Sequence, residues 1–284
     1  MKTILVTGGS GQMGGCIAED LRANGYNVIS TGRKENAARG ITRLDVRDGA
    51  RCQELTRGVD VIIHMGFYTK PGEFLEEQVP TNIVGTWNLY EAAARNNVSR
   101  IIFGSSNHAV GFHLRPGHPQ DDAAQRPDSP YGLSKCFAEM CGQYFSDRFG
   151  ISVINVRIGT YSHSDDHLPY SRRRCRTWLS PRDCRQLFRK CVEADESIKF
   201  LNIFGVSTNA GSEFGVSSLK DLIGYEPQDD GMVHLEHAVS VDRWNGRDDN
   251  AFLGADLVAF NPLTGSFDFD DLPELEKRHK GAGK

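Results

Sequence analysis

The feature that most narrows the fold lies at the start of the chain, where Ile4-Leu5-Val6-Thr7 runs directly into Gly8, Gly9, Ser10, Gly11, Gln12, Met13 and Gly14. A short aliphatic run of this kind reads as a buried strand, and Ile17 and Leu21 behind the glycines keep the four-residue spacing of one helix face. Glycines spaced by three between a strand and a helix let the backbone turn sharply. They also let a ligand approach the helix N-terminus, where unpaired N–H groups and the helix dipole favour negative charge. A glycine turn that follows a strand and opens a helix is the context of a dinucleotide pyrophosphate site. Gly8, Gly11, Gln12, Met13 and Gly14 are therefore the first cofactor-binding candidates.

The same alternation continues. Strands are expected over 2–7, 27–31, 59–64, 100–105 and 152–157, and helices over 13–24, 82–96 and 131–149. Short apolar strands separated by longer helical patterns predict crossover units on a parallel sheet covered on both faces. The expected fold class is α/β, a Rossmann-like doubly wound parallel sheet. Past residue 160 the alternation gives way to a basic stretch, one strand over 200–204 and a tail punctuated by Gly, Asp and Pro. This divides the chain into a dinucleotide-binding core over 1–160 and a smaller substrate-covering lobe over 161–284, with the polar end 277–284 expected to fray. Within Leu219-Lys220-Asp221-Leu222-Ile223-Gly224-Tyr225-Glu226-Pro227, Gly224 reads as a helix stop with proline beyond it.

Composition fits this picture. Lys and Arg number 33 against 37 Asp and Glu, a net charge of −4 over 284 residues, which argues against a nucleic-acid partner held by a basic surface. No stretch approaches the roughly 18 apolar residues of a membrane span, and the N-terminus has no signal-peptide layout. Seven cysteines without C-x-x-C pairs suit a reducing compartment and offer no metal site. A cytoplasmic protein acting on a small molecule is expected, with no membrane partner and as a homo-oligomer. The charge is unevenly spread, however. Between Ser171 and Lys190 stand eight basic residues and one acidic, so an anionic small substrate is expected nearby.

The end of the second strand bears on which dinucleotide is bound. An acidic side chain there accepts hydrogen bonds from the ribose hydroxyls of NAD, whereas a small residue followed by a base accommodates the 2′-phosphate of NADP. Val28-Ile29-Ser30-Thr31 ends in Gly32, Arg33 and Lys34, with no carboxylate. NADP is favoured and NAD stays open, with Arg33 the candidate phosphate ligand because a planar guanidinium pairs two phosphate oxygens at once.

Tyr131 and Lys135 stand one helical turn apart on one face. A tyrosine of ordinary pKa about 10 is a poor base at neutral pH, but a nearby ammonium and a cationic nicotinamide both favour its phenolate. The pair is preceded by Ile101-Ile102-Phe103-Gly104-Ser105-Ser106, a strand whose C-terminal end lies where open α/β sheets bind ligands. Ser106 is the candidate catalytic serine beside Tyr131 and Lys135, and Ser105 a strand-end residue. Asn82 either holds a water or backbone carbonyl of a proton relay at the cofactor or satisfies its own helix.

The glycine spacing with Ser, Tyr and Lys in order resembles the extended short-chain dehydrogenases/reductases, the NAD-dependent epimerase/dehydratase family. S-S-N-H at 105–108, Y-G-L-S-K-C-F at 131–137, V-R-I-G at 156–159 and T-W-L-S at 177–180 resemble the uronate dehydrogenases and related sugar 1-dehydrogenases over residues 1 to about 227. That resemblance implies oxidation of the anomeric carbon of a sugar or uronic acid to a lactone. It implies that Asp45, with Val46, lies near the adenine, and that Asn107 and His108 contact substrate. It further implies hydroxyl contacts from Thr69 and Thr160 and a carboxylate grip from Arg173, with Arg172, Arg174 and Arg176 as competitors for the inward position. A nucleotide-sugar epimerase or dehydratase on the same scaffold is the alternative within the family, although Asn107 and His108 replace the acids that elimination needs. A non-catalytic NADP-binding sensor is the alternative outside it.

Overall fold

The computed structural model describes residues 1–70, 73–113, 123–162, 168–242, 245, 247 and 252–281. In chain order the strands are β1 (Thr3–Thr7), β2 (Asn27–Gly32), β3 (Ile41–Arg43), β4 (Val61–His64), β5 (Arg100–Ser106), β6 (Ser152–Ile158), β7 (Thr160–Tyr161), β8 (Trp178–Leu179) and β9 (Phe200–Gly205), followed by a small hairpin of β10 (Phe260–Asn261) and β11 (Ser266–Phe267). Seven of them form one parallel sheet in the order β3-β2-β1-β4-β5-β6-β9. The helices are α1 (Gln12–Ala23), α2 (Gly49–Leu55), α3 (Gly85–Arg95), α4 (Pro130–Phe149), α5 (Arg172–Arg176), α6 (Pro181–Glu193), α7 (Leu219–Ile223), α8 (Leu235–Ser240) and α9 (Leu272–Gly281).

Side chains alternate across a strand, so each strand feeds two layers. Ile4, Val6, Ile63, Ile102 and Ile154 pack with Ile17 and Leu21 of α1 and with Leu187, Phe188 and Cys191 of α6. On the other face Leu5, Ile62, Ile101 and Val153 pack with Leu89 and Tyr90 of α3 and Phe145 of α4. Two cores on one sheet are what a doubly wound chain requires, and the Rossmann-like expectation holds. No helix among the described residues is long and apolar enough to cross a membrane.

Three sequence expectations change. The basic stretch after residue 171 contains α6, started by the N-cap Ser180 with Pro181 in the first turn. Its buried Cys184, Leu187, Phe188, Cys191 and Val192 follow helical spacing, but four intervening basic residues mask the stripe. Because α6 and β9 complete the central sheet, a division at residue 160 cuts through that layer. The helix expected over 82–96 begins earlier, as a π-helical segment Phe74–Val84 that contains Pro80 and runs on into α3. Proline lacks the N–H that a regular turn would use, and a widened turn accommodates it. The polar C-terminal end is helical through Gly281, anchored where the His279 ring stacks 4.9 Å from Phe112 and meets Phe252 edge-on at 5.2 Å.

Candidate active site

The glycine turn joins β1 to α1 in a conformation that side chains would obstruct. Gly8 has φ +67°, and a Cβ there would lie 2.8 Å from the Gly66 nitrogen. A Cβ on Gly14 would lie 2.4 Å from the Gly8 carbonyl oxygen, so Gly14 acts by letting α1 close on the turn. Gly11 caps α1 without any side-chain hydrogen bond, and the first turn carries no acid. The helix N-terminus is thus left open for an anion, the requirement of a bound pyrophosphate. Beside it opens a cleft of about 920 Å³, walled by Gly8, Gly11, Arg33, Asp45, Val46 and Phe67 among others. Gln12 is exposed and Met13 half-buried against the core at the start of α1.

The same cleft is lined by Arg33, Lys34, Arg39 and Arg47 as well as Asp45. Arg47 forks onto Asp45 at 2.6 Å, and that hydrogen bond holds the Asp45 carboxyl below its ordinary range. Among the described residues no carboxylate pairs with Arg33. Arg39, not anticipated from the sequence, reaches the Ser10 carbonyl of the glycine turn at 3.4 Å.

At the sheet's C-terminal edge the pleat sends Ser105 and Ser106 to opposite faces. Ser105 donates to Glu139 at 2.6 Å, whereas Ser106 donates to the Asn107 side-chain oxygen at 3.3 Å and accepts the His108 N–H at 3.2 Å. Ser129 caps α4 and Pro130 sits in its first turn, which fixes Tyr131 at the helix start and Lys135 one turn on. Burial pushes Tyr131 up, the Ser106 hydrogen bond pulls it back, and the Asp128 charge adds to the rise. Lys135 donates to the Gly104 carbonyl, with its ammonium 3.7 Å from the Phe67 ring centre, 4.7 Å from Phe103 and 5.4 Å from Tyr131. The aromatic faces attract the cation. Burial nevertheless lowers Lys135 to about 7, opposed by the charge of Glu139.

Asn82 is buried beneath the loop that follows β4. Its carbonyl accepts the Tyr68 N–H at 2.8 Å, and its amide donates to the Tyr68 carbonyl and to Ser134 at 2.9 and 3.1 Å. It braces the loop that carries Phe67, and its amide is spent on protein groups. Thr69 on that loop is exposed. Thr160 meets Thr177 at 3.0 Å, and Thr177 hydrogen-bonds the Arg173 carbonyl. Among the competing arginines Arg173 alone is buried, at 2 % exposure; Arg172 is exposed, and Arg174 stacks on Tyr170. The rest of the basic segment is divided among ion pairs, with Arg182 on Asp229, Arg189 on Asp20 and Lys190 on Glu193. The local charge excess is thereby thinned to the α5 cluster and Arg185. Asn107 donates to the Leu253 carbonyl at 3.3 Å, bringing the C-terminal lobe onto the site.

Several residues here were not singled out in the sequence. Glu139 continues the Tyr131, Lys135 face by one more turn, a spacing that could have revealed it. Asp128, which binds His108 at 2.8 Å, gave only the signal of an acid next to a helix cap.

A glycine turn on a parallel sheet, with Ser, Tyr and Lys converging at the strand ends beside the cleft, defines a dinucleotide-dependent oxidoreductase of the short-chain type. The chain belongs to the NAD dependent epimerase/dehydratase family, whose model matches residues 4–175. It is 32% identical to the L-arabinose 1-dehydrogenase (NAD(P)(+)) of Haloferax volcanii over 83% of this chain and 100% of that one. It is 31% identical to a uronate dehydrogenase of Pseudomonas syringae pv. tomato over 92% and 94%. The crystal structure of uronate dehydrogenase from Agrobacterium tumefaciens superposes with a TM-score of 0.80 at 29% identity, covering 92% of this chain and 98% of that one; a variant of it was solved with NAD.

The depressed Lys135 has a measurable signature. Between about pH 7 and its ordinary 10.5 the unfolded chain binds a proton here that the folded protein has released, so this group makes stability rise with pH across that window. Lys135→Met removes that contribution. In urea unfolding of the cofactor-free protein, the stability of wild type minus that of the variant should grow from about pH 7 to about pH 9.5. A flat or shrinking difference contradicts a lowered pKa at Lys135.

Proposed function

We propose that the protein oxidises the anomeric carbon of a free sugar, with a uronic acid the preferred class, to its lactone using NADP in preference to NAD. The observation that carries this reading is the convergence of Ser106, Tyr131 and Lys135 beside the dinucleotide cleft, with the buried Arg173 in the lobe behind β7. When bound, the oxidised nicotinamide supplies the hydride acceptor and a positive charge that favours a phenolate. Tyr131 takes the proton of the anomeric hydroxyl as its carbon becomes a carbonyl. Ser106 donates to the reacting oxygen and steadies the phenolate, and the Lys135 ammonium keeps Tyr131 acidic. Gly8, Gly11 and the N–H groups opening α1 hold the pyrophosphate, Gly14 by permitting that approach, while Gln12 and Met13 flank it.

Asp45 and Val46 line the adenine end and Arg33 takes the 2′-phosphate, a role supported by its place in the cleft lining with no carboxylate within ion-pair distance among the described residues. Asn82 supports the cofactor through the loop it braces. Asn107, His108, Thr69 and Thr160 hold sugar hydroxyls, and Arg173 grips a carboxylate with two parallel hydrogen bonds. The homo-oligomer in this reading is supported by apolar surface exposed on α3 and α4 at Trp87, Met140, Tyr144 and Phe149. A cytoplasmic setting is supported by seven cysteines that are all free and buried.

Purified protein mixed with NADP or NAD and a panel of aldoses and uronic acids should form reduced cofactor, followed by absorbance; binding without turnover on any sugar would favour the sensor alternative. Arg33→Asp should raise the KM for NADP by about tenfold or more while sparing NAD, the loss expected for a charge-assisted hydrogen bond. An unchanged preference removes Arg33 from the phosphate site. Arg173→Met should raise the KM for a uronate by about 10- to 100-fold and leave a neutral aldose within about twofold. Equal losses on both substrates would show that Arg173 supports the lobe and does not read the carboxylate.

A further inference from the structure

Asp128 sits between three parts of the site. Its side chain is fully enclosed, and one oxygen lies 2.8 Å from Nδ1 of His108 while the other accepts the Ser129 hydroxyl at 2.7 Å. Two glycines leave the space it fills: a Cβ on Gly111 would lie 1.7 Å from Oδ2 of Asp128, and one on Gly254 1.6 Å from it. Those glycines are themselves joined by a backbone hydrogen bond of 2.8 Å, so the C-terminal lobe closes the compartment. On the other side the Asp128 N–H donates to the His108 carbonyl, and the His108 and Tyr131 rings meet edge-on at 6.0 Å. Among the described residues Nε2 of His108 has no partner.

An ionised carboxylate can only accept hydrogen bonds, so a neutral imidazole bound to it carries its proton on Nδ1 and leaves Nε2 as an acceptor. We propose that Asp128 is a positioning residue that locks His108 in the Nδ1–H tautomer, so that Nε2 selects substrates by accepting a hydrogen bond from a sugar hydroxyl beside Tyr131. This rests on the proposed reading for the identity of the substrate, but the tautomer is a property of the protein alone. His108 in this state rejects a group that can only accept, such as an ether oxygen at the same place, because two acceptors would face each other.

Asp128→Asn tests the lock with little change in size. Ser129 donates at one end of the carboxylate, so an asparagine there keeps its oxygen on Ser129 and turns its NH2 toward Nδ1 of His108. The imidazole must then carry its proton on Nε2 and offers the substrate a donor in place of an acceptor. In nitrogen-15 NMR of the cofactor-free, substrate-free protein with labelled histidine, wild-type His108 should show a protonated Nδ1 and a bare Nε2, and the variant the reverse. In steady-state kinetics the variant should raise the sugar KM by about tenfold while the Kd for the dinucleotide stays within about twofold. A wild-type His108 protonated on Nε2, a measurement that needs no variant, overturns the proposal. So does a variant whose tautomer switches with the sugar KM unchanged. Absence of turnover with every sugar, together with an Nδ1–H tautomer in the wild type, would instead overturn the substrate reading and leave the lock standing.

Discussion

The carboxylate of Glu139 holds the catalytic edge together. It is 1 % exposed and accepts four hydrogen bonds, from Ser105 at 2.6 Å, twice from Arg157 at 3.0 and 2.9 Å, and from Gln125 at 3.0 Å. Those donors come from β5, from β6 and from the segment leading to α4, and Glu139 itself belongs to α4. A charge so deeply placed is tolerated only when its hydrogen-bonding capacity is filled, and removing one partner strands the other at a cost of about 3–5 kcal/mol. The network therefore fixes the depth of α4 against the sheet. Once that depth is set, Tyr131 and Lys135 fall at the level of Ser106, and the cap residues Ser129 and Asp128 fall at the level of His108.

The electrostatics of the site follow from the same enclosure. Lys135 lies between the aromatic faces of Phe67 and Phe103 and reaches only a backbone carbonyl, so its proton is loosely held. His64, buried nearby, is held neutral at a pKa of about 3 by its own burial and by Lys135, and its Nδ1 meets Thr7 at the end of β1 at 2.7 Å. Thr7 in turn accepts the N–H groups of Met65 and Gly66, which shape the loop bearing Phe67. Polar contacts thus run from the end of β1 to the loop whose Phe67 faces Lys135, without adding a further charge. The pairs along α6 are of another kind: Arg182–Asp229 and Lys190–Glu193 are open to solvent, screened and individually weak, while Arg189–Asp20 is partly buried.

The parts of this structure that were legible in the sequence are those set by local chemistry. The glycine turn, the strands and the Tyr131–Lys135 face each follow from the spacing of a few neighbouring residues, and all appear where that spacing requires. What escaped was non-local or masked. The apolar stripe of α6 hid among Arg182, Arg185, Arg189 and Lys190, whose charge density obscures the helical spacing of the apolar residues between them. The order of the C-terminal helix depends on His279 meeting Phe252 and, across more than a hundred residues of chain, Phe112, which no local pattern encodes. Asp128 and Glu139 are ordinary acids in the sequence and become pivotal only when the fold buries them. Arg173 was one of four arginines until burial distinguished it.

The two halves of the site are assembled from very different stretches of chain. Among the described residues, the walls of the dinucleotide cleft around the glycine turn, from Thr7 to Thr81, come from the first third of the chain. The sugar side, by contrast, waits for Leu253, which receives the Asn107 amide from 146 residues away, and for Gly254 beside Asp128. During synthesis on the ribosome the segment carrying Leu253 and Gly254 emerges well after the glycine turn, and contacts this distant in sequence form late. The nucleotide pocket is thus complete in sequence long before the segment packed on Asn107 and Asp128 arrives, a division of labour in time as well as in space.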